Sequence, residues 1–143
     1  MKSIEWWFSL ALWVAALGHF IMLCASFQAP YFLKWKEDLA KLTRFNRSIF
    51  WVYGGYIAMT IMAFGLLTIY LHDDMLRGDK ASLALALFMG IFWGARVLID
   101  FFVYKTDDWP TGLYFDVGHL LVRILILGLA GTYLGLVSWH LLG

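Results

Sequence analysis

Cysteine, proline and charged residues are all scarce in this sequence. Its 143 residues include one cysteine, Cys24, and two prolines. A single cysteine excludes an intramolecular disulfide and a cysteine-based zinc site. Charged residues make up 15% of the chain and the formal net charge is +1, so no overall field attracts a polyanion. We therefore expect no nucleic-acid partner.

Apolar side chains take the place of these residues. Hydrophobic residues make up 62% of the chain and aromatic residues 19%, well above an ordinary soluble domain. A helix needs about 20 mostly apolar residues to cross a bilayer. Four segments meet that requirement, and they cover approximately residues 6–27, 49–71, 82–104 and 112–142. The composition predicts an integral membrane protein whose main partner is the lipid bilayer.

The connections between these segments predict how they are arranged. Continuous apolar runs favour helices, because lipid forces backbone polar groups to be satisfied within each segment. Two of the connections are short, which makes neighbouring helices antiparallel. We therefore predict an all-α fold, one domain over residues 1–143, with four transmembrane helices in an up-down bundle. The first connection has apolar residues at helical spacing after Pro30, which predicts an amphipathic interfacial helix over residues 31–45 or a docking surface for a partner.

Basic residues predict the orientation of the bundle. The first and third loops hold six of them, Lys34, Lys36, Lys41, Arg44, Arg47 and Lys105. The opposite side has three, Lys2, Arg77 and Lys80. Because loops rich in lysine and arginine stay inside, the first and third loops should be cytoplasmic and both termini outside, in a bacterial inner membrane.

Polar side chains interrupt all four spans at matched depths on the first-loop side. Arginine or aspartate at a helix centre costs about 2.5–3.5 kcal/mol on insertion scales, so these residues should face inward. Together they predict an enclosed polar pocket, formed by His19, Tyr53, Tyr56, Arg96, Asp100, Asp116, His119 and Arg123. The two arginines and two aspartates of this set balance to zero charge.

The first hypothesis for this pocket is a small ligand, anionic or amphipathic, of quinone-like or lipid-like chemistry. Arg96 and Arg123 would hold its oxygens through the planar guanidinium fork. Histidine beside aspartate could pass protons during redox chemistry or transport. The residues do not decide between an enzyme, a transporter and a binding protein.

Two alternatives remain open for the same residues. His19 and His119 lie at equal depth and could be the axial ligands of a b-type haem, although acidic rather than basic residues lie where propionates would reach. The polar residues could instead form structural ion pairs in a non-catalytic accessory subunit of a larger membrane complex. No metal ion is predicted, because two guanidinium groups would repel it and no HExxH pair is present.

Glycines mark two surfaces where helices could approach closely. Gly128, Gly131 and Gly135 share the side of the fourth span opposite His119, while Gly90 and Gly94 form a GxxxG pair in the third span. Small residues let helix backbones come into contact in membranes. These patches predict either packing within the bundle or a contact with a second copy or a larger membrane complex.

Overall fold

A computed structural model describes residues 2–104 and 112–143, and it is all-helical over them. Its elements in chain order are α1 (Lys2–Phe32), α2 (Trp35–Leu39), α3 (Arg44–Tyr70), α4 (His72–Arg77), α5 (Lys80–Phe102) and α6 (Leu113–Leu142). Four of these described helices, α1, α3, α5 and α6, are long and apolar enough to cross a membrane. The prediction of an all-helical chain with four candidate membrane spans is confirmed to that extent.

The outer surface of the four long helices is apolar. In the most apolar stretch of each helix, only 22% to 39% of the residues are buried within the protein. Large side chains such as Trp7, Leu17 and Leu121 are more than half exposed. A soluble protein rarely leaves so much contiguous apolar surface in water. This surface matches what lipid chains would cover.

The first long helix extends beyond the predicted end at residue 27. Pro30 lies inside α1 instead of starting the next helix, and α1 ends at Phe32. The ring of Phe32 packs against Tyr114 and Phe115 of α6, with centroids 5.5 and 6.3 Å apart. These contacts between distant parts of the chain stabilise a last helical turn that the proline alone would weaken.

The first connection is not a single helix over residues 31–45. Lys34 adopts the left-handed conformation, with φ 56° and ψ 46°, and separates α1 from the five-residue α2. Thr43 then begins α3, because its hydroxyl oxygen accepts a hydrogen bond from the Asn46 backbone N–H at 3.3 Å. An N-cap threonine of this kind starts the second span five residues earlier than the apolar pattern alone predicts.

The long helices associate as two tight pairs. α1 packs along α3, α5 packs along α6, and α1 also contacts α6. Opposite ends meet in these pairs: the Ser9 hydroxyl near the start of α1 lies 3.2 Å from Nε2 of His72, just after α3. Among the described residues, α3 and α5 make few close backbone contacts. One contact between them is edge-on, between the rings of Phe64 and Phe92, with centroids 5.2 Å apart.

The tightly packed core occupies the half of the molecule away from the first loop. Its fully buried side chains come from all four long helices and from α4, and include Leu12, Thr68, Met75, Met89, Trp93, Ile126, Tyr133 and Leu136. The Thr68 and Tyr133 hydroxyls lie 2.6 Å apart, so this core also satisfies its polar atoms. The first-loop half is packed less densely and contains the cavity described below.

The glycines of the predicted patches have different environments. A Cβ at Gly90 would lie 2.7 Å from the side chain of Leu134, so this glycine permits close packing of α5 on α6. At Gly94, Gly128 and Gly131, a Cβ would meet no described atom within 4 Å. The GxxxG pair therefore contributes one residue to internal packing, and Gly128 and Gly131 leave an open strip on the outer face of α6.

Candidate functional site

A cavity of about 1310 Å³ lies between the four long helices on the first-loop side. Its wall is mostly apolar, and typical lining residues are Met22, Phe32, Trp35, Trp51, Ile57, Phe92, Ile99 and Val122. Pockets for small ligands usually measure about 300–1,000 Å³. The cavity therefore has room for a guest with a substantial apolar part.

Small residues and the separation of two helices create this space. Gly54, Gly55 and Ala58 face the cavity from α3, and Gly118 faces it from α6. A Cβ added at any of the three glycines would meet no described atom within 4 Å. α3 and α5 both line the cavity but make few close backbone contacts. The cavity therefore extends into the space between these two helices.

A cluster of charged side chains forms one wall of the cavity. Asp100 of α5 is 2% exposed, and its Oδ2 accepts a hydrogen bond of 2.6 Å from Nε of Arg123 on α6. Its Oδ1 lies 3.5 Å from Nη1 of Arg96, one helical turn earlier on α5. The tight packing of α5 on α6 brings the carboxylate and the Arg123 guanidinium together. Arg96 and Asp100 line the cavity, whereas Arg123 is not among the lining residues and contacts Asp100 from α6.

Arg96 is the arginine of this cluster that lines the cavity. Its side chain is 27% exposed, and its guanidinium carbon lies 4.9 Å from the centre of the Tyr104 ring. Nη1 of Arg96 is buried and makes no hydrogen bond to a described residue, and its carboxylate partner is 3.5 Å away. Arg123, in contrast, makes a short hydrogen bond to Asp100. The other two nitrogens of the Arg96 guanidinium, Nε and Nη2, are not buried in this way and make no hydrogen bond to a described residue, so they are the groups that a guest could contact.

The charges of the cluster do not balance. The expected balance included Asp116, but this residue is exposed in the first turn of α6 and forms no ion pair with a described residue. Two guanidinium groups therefore share the single carboxylate of Asp100. The cluster carries one net positive charge beside an apolar cavity.

His19 does not line the cavity. It is fully buried in the core, where Nδ1 donates to the Ala15 carbonyl at 2.9 Å and Nε2 accepts from the Trp93 indole N–H at 2.9 Å. The rings of Phe64 and Tyr133 lie on other sides of the imidazole, each with its centroid 5.9 Å away. Both nitrogens are therefore used, in the neutral tautomer with the proton on Nδ1.

This arrangement does not fit the haem hypothesis. An axial ligand would need Nε2 of His19 directed at iron and space for a porphyrin beside the ring. Nε2 of His19 already accepts a hydrogen bond from Trp93, and the Trp93 ring fills the space beside the imidazole, with ring centroids 5.4 Å apart. His119 lines the cavity from α6, so the two histidines do not face a common space.

The predicted site residues thus divide into two groups. Arg96, Asp100 and His119 line the cavity and Arg123 supports the cluster, whereas His19, Tyr53, Tyr56 and Asp116 lie elsewhere. Tyr53 and Tyr56 are 64% and 60% exposed. Tyr56 is five residues from the buried Ile61, which places it about 140° away around α3. Similar depth along the helices was therefore not enough to predict which residues share the pocket, because packing sets the rotation of each helix.

Sequence reasoning missed the residues that shape the cavity. These are the small residues of α3 and the aromatic residues Trp35 and Trp51, whose rings pack 5.9 Å apart where the first loop meets the second span. The adjacent glycines Gly54 and Gly55 were an available signal. Two glycines inside an apolar span leave a gap wherever no neighbouring helix approaches.

Comparisons with known proteins add no relative, since no family model, curated protein or solved structure matches this chain. What the site can do therefore follows from its volume, its lining and its charge. All three are properties of the described residues.

Proposed function

We propose that this chain is an integral membrane protein, built as an up-and-down bundle of four spans, whose cavity binds a small amphipathic ligand. The alternating direction is supported by contacts between opposite helix ends, such as Ser9 with His72 and Asp100 with Arg123. The basic first loop supports a cytoplasmic location for the cavity end. In this orientation the cavity lies in the inner half of the bilayer.

The observation that carries the proposal is the combination of a large apolar cavity with a charged cluster on one wall. Ligand sites are typically apolar, with a few polar groups that fix the orientation of the guest. Here the walls suit a hydrocarbon tail, and Arg96 with His119 suits a polar head. This arrangement fits a lipid-like or quinone-like molecule. A cluster that only fixed helix register would not need a cavity beside it.

The first loop has a defined part in this proposal. Trp35 of α2 contacts Phe50 and Trp51 at the start of α3, with ring centroids 5.0 and 5.9 Å apart. Trp35 and Trp51 also line the cavity. Tryptophan prefers the boundary between headgroups and hydrocarbon. We place α2 at that boundary, where it covers the cavity end beneath the basic residues of the loop.

Filling the cavity tests the proposal directly. Gly118 lines the cavity and Gly128 lies on the open outer strip of the same helix, and both can accept a Cβ without a contact. Gly118→Trp should place an indole in the cavity and displace the guest, whereas Gly128→Trp should place the same ring against lipid. We expect lipid extracts of purified Gly118→Trp to lose a copurifying amphiphile that wild-type protein and Gly128→Trp retain, by mass spectrometry.

The opposite result would remove the proposal. Equal amounts of every extracted amphiphile in wild-type protein and both variants, at equal yield of folded protein, would mean that the cavity has no resident ligand. Circular dichroism would verify that Gly118→Trp remains helical, so a loss of ligand could be separated from a loss of fold.

A further inference from the structure

We infer that the cavity selects an amphiphile with a single negative charge in its head, bound against Arg96. This inference rests on the proposed function and narrows its ligand from any amphipathic molecule to a monoanionic one. The shared chemistry is a carboxylate or a phosphodiester attached to a hydrocarbon tail. A neutral quinone is thereby excluded as the preferred guest.

The excess positive charge of the cluster favours an anionic guest. Asp100 neutralises one of the two guanidinium groups around it and makes its shorter contact, 2.6 Å, with Arg123. The contact with Arg96 is 3.5 Å and lacks hydrogen-bond geometry. Asp116 is exposed and forms no ion pair within the described part of the chain. Among the described residues, the cluster therefore keeps one positive charge in excess, and Arg96 is the arginine of the cluster that faces the cavity.

Arg96 lies well inside α5, away from the helix end. Arg96 precedes Phe102, the last residue of α5, by six residues, which is about 9 Å along the helix axis. At that depth the surroundings are apolar side chains or lipid, where an unbalanced charge is expensive. The charge of an anionic head would balance it, whereas a neutral head would leave it unbalanced. A head with two negative charges would exchange one imbalance for the other.

The guanidinium of Arg96 also has a suitable shape and position for binding an anionic head. A guanidinium presents planar N–H groups that pair with two oxygens of a carboxylate or phosphate, and such charge-assisted hydrogen bonds are the strong ones. Arg96 lines the cavity, and His119 lines the same cavity from α6. The ring of Tyr104 lies against the Arg96 guanidinium at 4.9 Å and limits its movement. A bound head would therefore meet a positioned charge.

Native mass spectrometry with defined lipids tests the inference. The probes are two pairs with matched tails: oleate against oleyl alcohol, and dioleoyl phosphatidylglycerol against dioleoyl phosphatidylcholine. Each probe is titrated into delipidated full-length protein in a mild non-ionic detergent. We expect at least one monoanion to bind about tenfold or more tightly than its uncharged or zwitterionic partner. The pair that shows the preference identifies the head as carboxylate or phosphodiester.

Two charge variants locate the preference. Arg96→Gln removes the uncompensated charge and leaves the Asp100–Arg123 pair, so the monoanion should lose its advantage. Lys36→Gln removes an exposed cation of α2, on the same side of the protein but outside the cavity lining, and should leave the preference unchanged. The comparison of charged with uncharged probes uses wild-type protein alone. It therefore decides whether the protein prefers a monoanion even if Arg96→Gln is unstable.

The possible outcomes separate this inference from the proposed function. Equal binding of charged and uncharged probes, with displacement of both by Gly118→Trp, would overturn charge selection and leave the cavity as a ligand site. A preference for the monoanion that survives in Arg96→Gln but disappears in Lys36→Gln would also overturn it, because the preference would then come from the exposed residues of α2 and not from the cavity. Binding that Gly118→Trp does not reduce would overturn the proposed function itself.

Discussion

Replacing Trp93 with phenylalanine tests how the core holds His19. The Trp93 indole donates to Nε2 of His19 at 2.9 Å, and the two residues are 1% and 0% exposed. Phenylalanine keeps an aromatic ring but removes the N–H donor. Nε2 of His19 would then be a buried acceptor with no donor from Trp93, at a position that water does not reach.

The expected loss has two parts. Double-mutant cycles for hydrogen bonds between membrane helices average about 0.6 kcal/mol and reach about 1.7 kcal/mol, and complete burial favours the upper end of that range. The smaller ring also leaves a void, and each methyl-sized void costs about 1 kcal/mol. Trp93→Phe should therefore lower the free energy of unfolding by about 2–3 kcal/mol. His19→Leu should also destabilise, because it leaves the indole N–H of Trp93 unpaired.

The double variant isolates the hydrogen bond from the void. Trp93→Phe with His19→Leu removes both partners, so its loss should be about 1–1.7 kcal/mol smaller than the sum of the two single losses. The measurement is reversible unfolding by SDS in mixed micelles, followed by circular dichroism. Trp6→Phe is the control, since Trp6 is 58% exposed, and its effect should stay within about 0.5 kcal/mol. Single losses that add to within about 0.3 kcal/mol would refute the hydrogen bond.

Two further predictions use the same unfolding assay. Asp100→Leu should cost about 3–5 kcal/mol because it leaves Arg123 without its carboxylate, and adding Arg123→Leu should restore most of that loss; a double variant as unstable as Asp100→Leu would contradict the pairing. Gly90→Ala should cost about 1–3 kcal/mol, because the new Cβ would lie 2.7 Å from the Leu134 side chain and 3.2 Å from its backbone nitrogen. Gly94→Ala, where a Cβ meets no described atom within 4 Å, should leave stability unchanged or slightly raised; equal losses at both glycines would contradict the α5–α6 packing.

Helix boundaries were predicted well where local signals agree with packing and poorly where they compete. The helices α5 (Lys80–Phe102) and α6 (Leu113–Leu142) begin and end within two residues of the third and fourth predicted segments. The first loop differs because tertiary contacts of Phe32 extend α1 past Pro30. The left-handed conformation of Lys34 also has no sequence signal, because lysine rarely adopts it.

The sequence by itself determined the number of long apolar helices and the depth of the charged residues along the axis of each helix. Both follow from counting along the chain, because apolar length and a fixed rise per residue need no knowledge of neighbours. It also indicated that Arg96, Asp100 and Arg123 belong together, since burying a charge in an apolar bundle requires a partner.

Only the tertiary structure decided which of those residues meet. The rotation of each helix depends on how side chains interlock with the neighbouring helix, and a shift of one residue turns a side chain by about 100°. That rotation places His19 in the core, turns Tyr53 and Tyr56 outward and exposes Asp116. The separation of α3 from α5, which opens the cavity, likewise results from the packing of whole helices and has no counterpart in the local pattern of the chain.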